Sequence, residues 1–179
     1  MNNIMKNKQI TFVKRIYPAA VRLYEAGGIS PLFVTAQAAL ETGWKDSGIG
    51  NNIFGITKGS WTGATSLELT TEYFCSPNIK FNAPERVVSI EQVAPGRYKY
   101  RVKRLFRVYD SIDACLDDHL ALLRKPMYSD AWAYRNDPKE YARRLVDNTG
   151  AKYATAPNYA ETMASVIDTV ERIVKACNL

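Results

Sequence analysis

The period of the apolar residues changes twice along these 179 residues, and nothing else in the sequence limits the fold as much. Up to about residue 44, apolar side chains recur every three or four positions. From about residue 64 to 109 they alternate. Beyond 109 the three-to-four spacing returns. A chain patterned this way folds as helices, a small antiparallel sheet, then helices: an α+β domain with a mainly helical lobe and a β lobe.

The first helix is expected over residues 9–26, with Ile10, Val13, Tyr17, Ala20 and Tyr24 on one face and Gly27-Gly28 as its stop. Ser30-Pro31 reads as the N-cap and first residue of a second helix. That helix carries Phe33, Ala36, Gln37, Leu40 and Trp44 on one side. Residues 45–63, rich in Gly, Asn, Ser and Thr, read as a loop. Leu67, Leu69, Thr71 and Tyr73 then alternate with Ser66, Glu68, Thr70 and Glu72, and a second alternating run spans Tyr98 to Val108. Val87, Val88 and Ile90 supply a third strand, with turns at Pro77, Pro84 and Pro95-Gly96. Ser111 caps a helix bearing Ile112, Cys115, Leu116, His119 and Leu123. Asp137-Pro138-Lys139-Glu140 has the capping-box pattern and opens a helix that should stop before Gly150. Tyr159, Met163, Val166, Val170, Ile173 and Cys177 form the apolar stripe of a last helix.

Composition narrows the function classes. An apolar share of 46% supplies a core, and the length suits one domain, residues 1–179, with its β lobe at about 64–109. No apolar run is long enough to span a membrane. Cys75, Cys115 and Cys177 are an odd set without a C-x-x-C, against a disulfide framework or a zinc ribbon. The first residues lack an uninterrupted apolar segment, because Lys14 and Arg15 break it, so no signal peptide is expected. The net charge of +6 is local. Residues 97–107 hold six basic side chains and no acid, and the remaining 18 basic residues balance the 18 acidic ones.

Four features bear on chemistry. Glu41 lies beside Leu40 and near Trp44, at the C-terminal end of its helix. Partial burial and the negative end of the helix dipole both raise a carboxyl pKa, as a general acid at neutral pH requires. Periodicity alone favours an acid on the edge of an amphipathic helix. Glu68 and Glu72 share the polar face of one strand, as a second catalytic carboxylate or as a solvated face. Cys115 and His119, four apart, suit a metal half-site or thiolate–imidazole pair, but their stripe is apolar and favours a core position. Cys75 with His119 would make a cysteine peptidase, though no helix N-terminus follows Cys75 to lower its thiol pKa. Arg97, Lys99, Arg101 and Lys103 alternate with Tyr98, Tyr100 and Val102. They would stack and neutralise a single-stranded nucleic acid, or form a strand with one wet and one packed face; Phe106 and Val108 continue the apolar face in register and favour the strand.

Five stretches in order resemble a known family. They are Ala36-Gln37-Ala38-Ala39-Leu40-Glu41-Thr42-Gly43-Trp44, Asn51-Asn52-Ile53-Phe54-Gly55-Ile56-Thr57-Lys58, Thr70-Thr71-Glu72-Tyr73, Phe106-Arg107-Val108-Tyr109-Asp110-Ser111 and Tyr153-Ala154-Thr155-Ala156-Pro157-Asn158-Tyr159-Ala160. Together they make the chain similar to glycoside hydrolase family 73, the glucosaminidases of bacterial peptidoglycan. The resemblance implies a lysozyme-like fold and hydrolysis of the β-1,4 bond after N-acetylglucosamine in peptidoglycan strands. It implies Glu41 as general acid, Glu72 as the β-lobe acid and Tyr159 as the tyrosine that steadies the reacting sugar. It places Asn52, Phe54, Gly55 and Trp61 in the sugar-contacting loop, with Tyr153 and Asn158 also at the substrate. For an inverting pair the two carboxyl groups should lie roughly 6.5–9.5 Å apart, or wider in an open lobe, whereas a separation of roughly 5 Å would point to retention through a covalent intermediate. The family uses no metal and no cofactor. The expected partner is the glycan strand rather than nucleic acid, met by a monomer made in the cytoplasm and acting in the periplasm or on the wall. Two departures stand out: Ala156 replaces the family's frequent Asp, and residues 74–97 are longer and richer in Pro than in compact members.

Overall fold

The computed structural model describes residues 2–45, 49–147 and 158–179. Among these, the elements run α1 (Asn2–Glu25), α2 (Pro31–Thr42), β1 (Thr65–Phe74), β2 (Arg86–Ala94), β3 (Arg97–Arg107), α3 (Ile112–Leu123), α4 (Ser129–Trp132), α5 (Pro138–Asp147) and α6 (Tyr159–Cys177). The order is the α+β layout that the changing period predicts. Differences lie at its margins. Helix α1 begins at Asn2, ahead of the apolar stripe. The short α4, with a 3-10 turn over Pro126–Tyr128, is too brief to leave a periodic trace. The stop expected before Gly150 lies outside the described residues.

The caps follow local chemistry. Ser111 Oγ accepts the backbone N–H of Ala114 at 3.1 Å, as an N-cap should. Asp137 Oδ1 accepts from Lys139 N and Glu140 N, but Glu140 does not complete a capping box. Its carboxylate is drawn instead to Arg143 and Arg144. Ser30 precedes Pro31 as expected but makes no side-chain cap bond.

Helix α2 departs most from expectation. Its apolar stripe predicts a one-sided helix, yet every residue from Phe33 to Ala39 is buried. The cause is tertiary: α1, α5 and α6 all pack against it. Ala36, Ala38 and Ala39 are small enough to admit close neighbours on several sides, and Phe33 meets Tyr141 of α5 edge-on at 4.7 Å. A helix buried all round is the axle of its lobe. The two ends of α2 are partly exposed, and Glu41 is its one exposed residue.

The three strands form one antiparallel sheet in the order β1-β3-β2. Glu68, Thr70 and Glu72 oppose Arg104, Val102 and Tyr100, so these six share a face. Leu69, Thr71 and Tyr73 share the other face with Lys103, Arg101 and Lys99. Tyr100 and Val102 are fully buried. Residues 75–85 lie over Tyr100, whose hydroxyl donates to Ser76 O at 2.8 Å and accepts from Ile79 N. The acids of β1 therefore lie on the covered face, and its apolar side is the open one, with Leu69 47% and Tyr73 52% exposed. The central strand decides this. Its four alternating cations cannot be packed inward, so β1 follows its neighbour's register rather than its own pattern.

Candidate active site

Glu41 occupies the last turn of α2. Gly43 and Trp44 both adopt positive φ, at 59° and 61°, which ends the helix at once. Gly43 suits that conformation; Trp44 is held in it by packing, its ring edge-on to Phe12 at 5.7 Å. Thr42 Oγ1 donates back to Ala38 O at 2.8 Å. The acid is thus carried on a rigid stub from the core. It remains accessible to solvent, as a proton donor must be, while the surrounding protein desolvates its carboxyl and raises its pKa.

Tyr159 is the first residue of α6, which packs on α2. Its ring is buried, and its hydroxyl accepts from Gln37 Nε2 at 3.4 Å. Gln37 and Glu41 are four apart and so lie along one side of α2. Desolvation, and next the charge of Glu41, push the Tyr159 phenol well above its ordinary pKa. It therefore keeps its proton at any physiological pH. Glu41 and Tyr159 are the pair of predicted residues that the fold brings together, and Gln37 is a member of that group which the pattern assigned merely to an apolar stripe. A glutamine within such a stripe was the signal.

Glu72 is carried by β1 of the β lobe. Arg104 Nη1 contacts both of its oxygens, at 2.8 and 2.9 Å. The same guanidinium donates through Nε to Glu85 Oε1 at 2.9 Å, and Leu105 N donates to that oxygen at 2.8 Å. The segment between β1 and β2 thus delivers Glu85 to the clamp around Glu72. Glu68 is engaged by the hydroxyl of Ser66.

Residues 49–64 are strapped to the end of β3. Asn52 is buried, and its amide is fully committed to backbone: Nδ2 donates to Ile56 O and Arg107 O, and Oδ1 accepts from Ile56 N. Its observed work is holding the loop. Phe54 stacks on His119 of α3 at 3.7 Å, nearly parallel. Gly55 is exposed at the turn that follows. Trp61 lies against Tyr109 at 5.5 Å with the Arg107 guanidinium over its ring, and its Nε1 donates to Ala64 O. A Cβ on Gly63 would meet the Trp61 ring at 2.6 Å, so only glycine lets the indole lie there. Asn158 is exposed, one residue before Tyr159, at a shallow concavity lined also by Glu161 and Thr162. Tyr153 lies outside the described residues.

Below this loop is a network that spacing did not reveal. Arg107 Nη1 meets both oxygens of Asp118 on α3, at 2.8 and 2.6 Å, and Tyr109 OH donates to the same carboxylate. It ties β3, the loop and α3 into one body.

The Cys75–His119 pairing gains nothing from the geometry. Cys75 is exposed, whereas His119 is 4% exposed beneath Phe54. Desolvation lowers the His119 pKa to about 3 and raises the Cys115 thiol to about 11, as for core groups. Among the described residues no group of three or more His, Cys, Asp and Glu side chains is placed to hold a metal, and no helix is long and apolar enough to cross a membrane.

The raised Glu41 pKa has a stability consequence. Its folded-state pKa exceeds its unfolded one, so its contribution to stability is full below the unfolded carboxyl pKa of about 4.3 and is lost as pH rises through the folded value. Glu41→Gln should therefore be more stable than the wild type at pH 7, and this gain should vanish toward roughly pH 4. Urea unfolding at both pH values checks this; a gain independent of pH would contradict it.

The comparisons with known proteins bear on this arrangement. The glucosaminidase family model, described as mannosyl-glycoprotein endo-beta-N-acetylglucosaminidase, matches residues 17–172. The chain is 30% identical over 164 residues to the peptidoglycan hydrolase FlgJ of Pseudomonas aeruginosa, covering 87% of this chain and 35% of that protein. It is 27% identical over 171 residues to a probable N-acetylmuramidase of Lactococcus lactis subsp. lactis, covering 90% of this chain and 33% of that protein. The chain thus spans about a third of the length of these curated relatives. The solved C-terminally truncated glycoside hydrolase domain of Salmonella typhimurium FlgJ superposes with a TM-score of 0.65 at 29% identity, covering 92% of this chain and 98% of that one.

Proposed function

The chain belongs to the glucosaminidase family of glycoside hydrolases, and from that premise we propose that it is a peptidoglycan hydrolase whose general acid is Glu41. One observation carries the assignment: an acid with a raised pKa at the open end of the most buried helix, close enough to Tyr159 for its charge to act on that phenol.

The chemistry follows from these groups. Glu41 gives its proton to the glycosidic oxygen as the bond from that oxygen to the anomeric carbon breaks. The sugar develops positive charge at the anomeric carbon. Tyr159, still protonated, donates a hydrogen bond to the reacting sugar. Water then adds to the anomeric carbon and its proton passes to a base. Glu72 fills that role in an inverting mechanism. Arg104 occupies part of its carboxylate, and an ionised carboxylate has about four acceptor sites, so sites remain for a water. In the alternative, the substrate's own acetamido oxygen attacks first, and Glu72 is a positioning acid. Protons and water suffice for either route.

We assign cleavage to the β-1,4 bond after N-acetylglucosamine. Phe54, Gly55 and Trp61 present the loop that meets the sugars, with Asn158 at the α6 side and Tyr153 as a further substrate contact. The helical and β lobes act as one catalytic domain over residues 1–179, working as a monomer on the wall or in the periplasm without a cofactor. The anomer of the freshly released sugar end, followed by NMR, tests the base. Inversion with activity lost in Glu72→Gln is the expected result. Retention with activity kept in that variant would transfer the role to the acetamido group.

A further inference from the structure

The charge excess of the sequence divides in the fold. Arg104 and Arg107 turn toward acids, Glu72 with Glu85 and Asp118. Arg97, Lys99, Arg101 and Lys103 project from the opposite face of β3, and Arg86 of β2 stands beside Lys103. The only acid paired to any of these five among the described residues is Glu91, at 3.6 Å from Lys99. Arg101 contacts a neutral hydroxyl, Thr71 Oγ1, and Arg97 lies over the ring of Tyr73 at 4.7 Å. Alternate residues of a strand are about 6.7 Å apart, so the β3 cations form a line about 20 Å long. A row of this length with one paired acid is costly through self-repulsion and complements an extended anion bearing several charges.

Aromatic placement decides between anions. Nucleic acid held without sequence preference needs faces on which bases stack. Tyr98 and Tyr100, which alternate with the cations, point to the other side of the sheet, and Tyr100 is fully buried there. Among the described residues Tyr73 is the one aromatic ring exposed on the cationic face, and Arg97 already covers it. The face offers charge without a stacking platform. In peptidoglycan the glycan's lactyl carboxyl is consumed in its link to the peptide, so the substrate's free carboxylates lie on the peptide stems.

We propose that the cationic face of the β lobe is a docking surface for the carboxylate-bearing peptide stems of peptidoglycan. The choice of occupant rests on the hydrolase reading above. Bound stems would retain the chain on the insoluble wall through exposed, salt-screened contacts, none of which involves Glu41, Glu72 or Tyr159.

The test uses the full chain and its Arg97→Gln/Arg101→Gln/Lys103→Gln variant, whose altered side chains lie outside the core. Co-pelleting is measured with purified wall sacculi and with sacculi whose carboxyls have been amidated by carbodiimide chemistry. Hydrolysis is measured on soluble, peptide-free glycan oligomers. Each exposed pair is weak, but three together should lower the variant's retention on untreated sacculi on the order of tenfold at low salt. Amidated sacculi should retain the wild type no better than untreated sacculi retain the variant, and both proteins should cleave the oligomers equally. Wild-type retention by the variant, or undiminished retention on amidated sacculi, would overturn the proposal. So would tighter binding of oligothymidine than of sacculi, or a loss confined to that probe. Failure of the wild type to cleave the oligomers would contradict the hydrolase reading instead, while the pelleting result would still decide for or against the surface.

Discussion

Glu41→Gln should fold and bind wall material yet lose lysis on the order of a thousandfold, the usual contribution of a positioned acid. That factor corresponds to about 4 kcal/mol of barrier. The substitution preserves shape and removes the proton that the glycosidic oxygen needs. The raised pKa of Glu41 also fixes the sign of the pH dependence. The acid works while protonated, so activity falls as pH rises through its folded-state pKa. Turbidity clearing of sacculi across a pH series measures both effects. A folded Glu41→Gln enzyme that lyses walls at the wild-type rate would remove the acid from the mechanism.

Asp118→Ala should cause the largest loss of stability. Arg107 is 8% exposed and loses its bidentate partner, while Tyr109 OH loses its acceptor. Removing one member of a buried ion pair costs about 3–5 kcal/mol, because the other charge stays buried without compensation. Urea unfolding at neutral pH measures the change. Replacing both partners, as in Asp118→Leu/Arg107→Met, should recover much of the loss if uncompensated burial is its cause. A cost below about 1 kcal/mol for Asp118→Ala would mean that the pair is solvated like a surface bridge.

Much of this was readable in the residues, for identifiable reasons. The change of period marks local geometry, which neighbours on the chain largely set, so the helix–sheet–helix order and the three strands emerge directly. The Ser111 cap is equally local. The direction of the Glu41 shift is legible in the residues, since Leu40, Trp44 and the helix end are its neighbours in sequence and burial raises its pKa in the fold.

What escaped depends on partners far along the chain. Helix α2 looks one-sided because alanine is neutral in a stripe, and only the arrival of α1, α5 and α6 makes it buried all round. The alternation of β1 points its apolar side inward, but β3 sets its faces. Gln37 meets Tyr159 across 122 positions, Arg104 meets Glu72 across 32 and Arg107 meets Asp118 across 11. No periodicity encodes such pairs. The sequence motif containing Asn52 pointed to sugar contact, whereas its observed bonds all go to backbone, a use that only the closed loop reveals.

The central claim is that this chain cleaves the glycan after N-acetylglucosamine. Mass spectrometry of the fragments released from purified sacculi tests it most directly. The account predicts muropeptides with new reducing ends at N-acetylglucosamine, produced by the wild type and not by Glu41→Gln. Reducing ends at N-acetylmuramic acid, or new amino ends within the peptides, would contradict it.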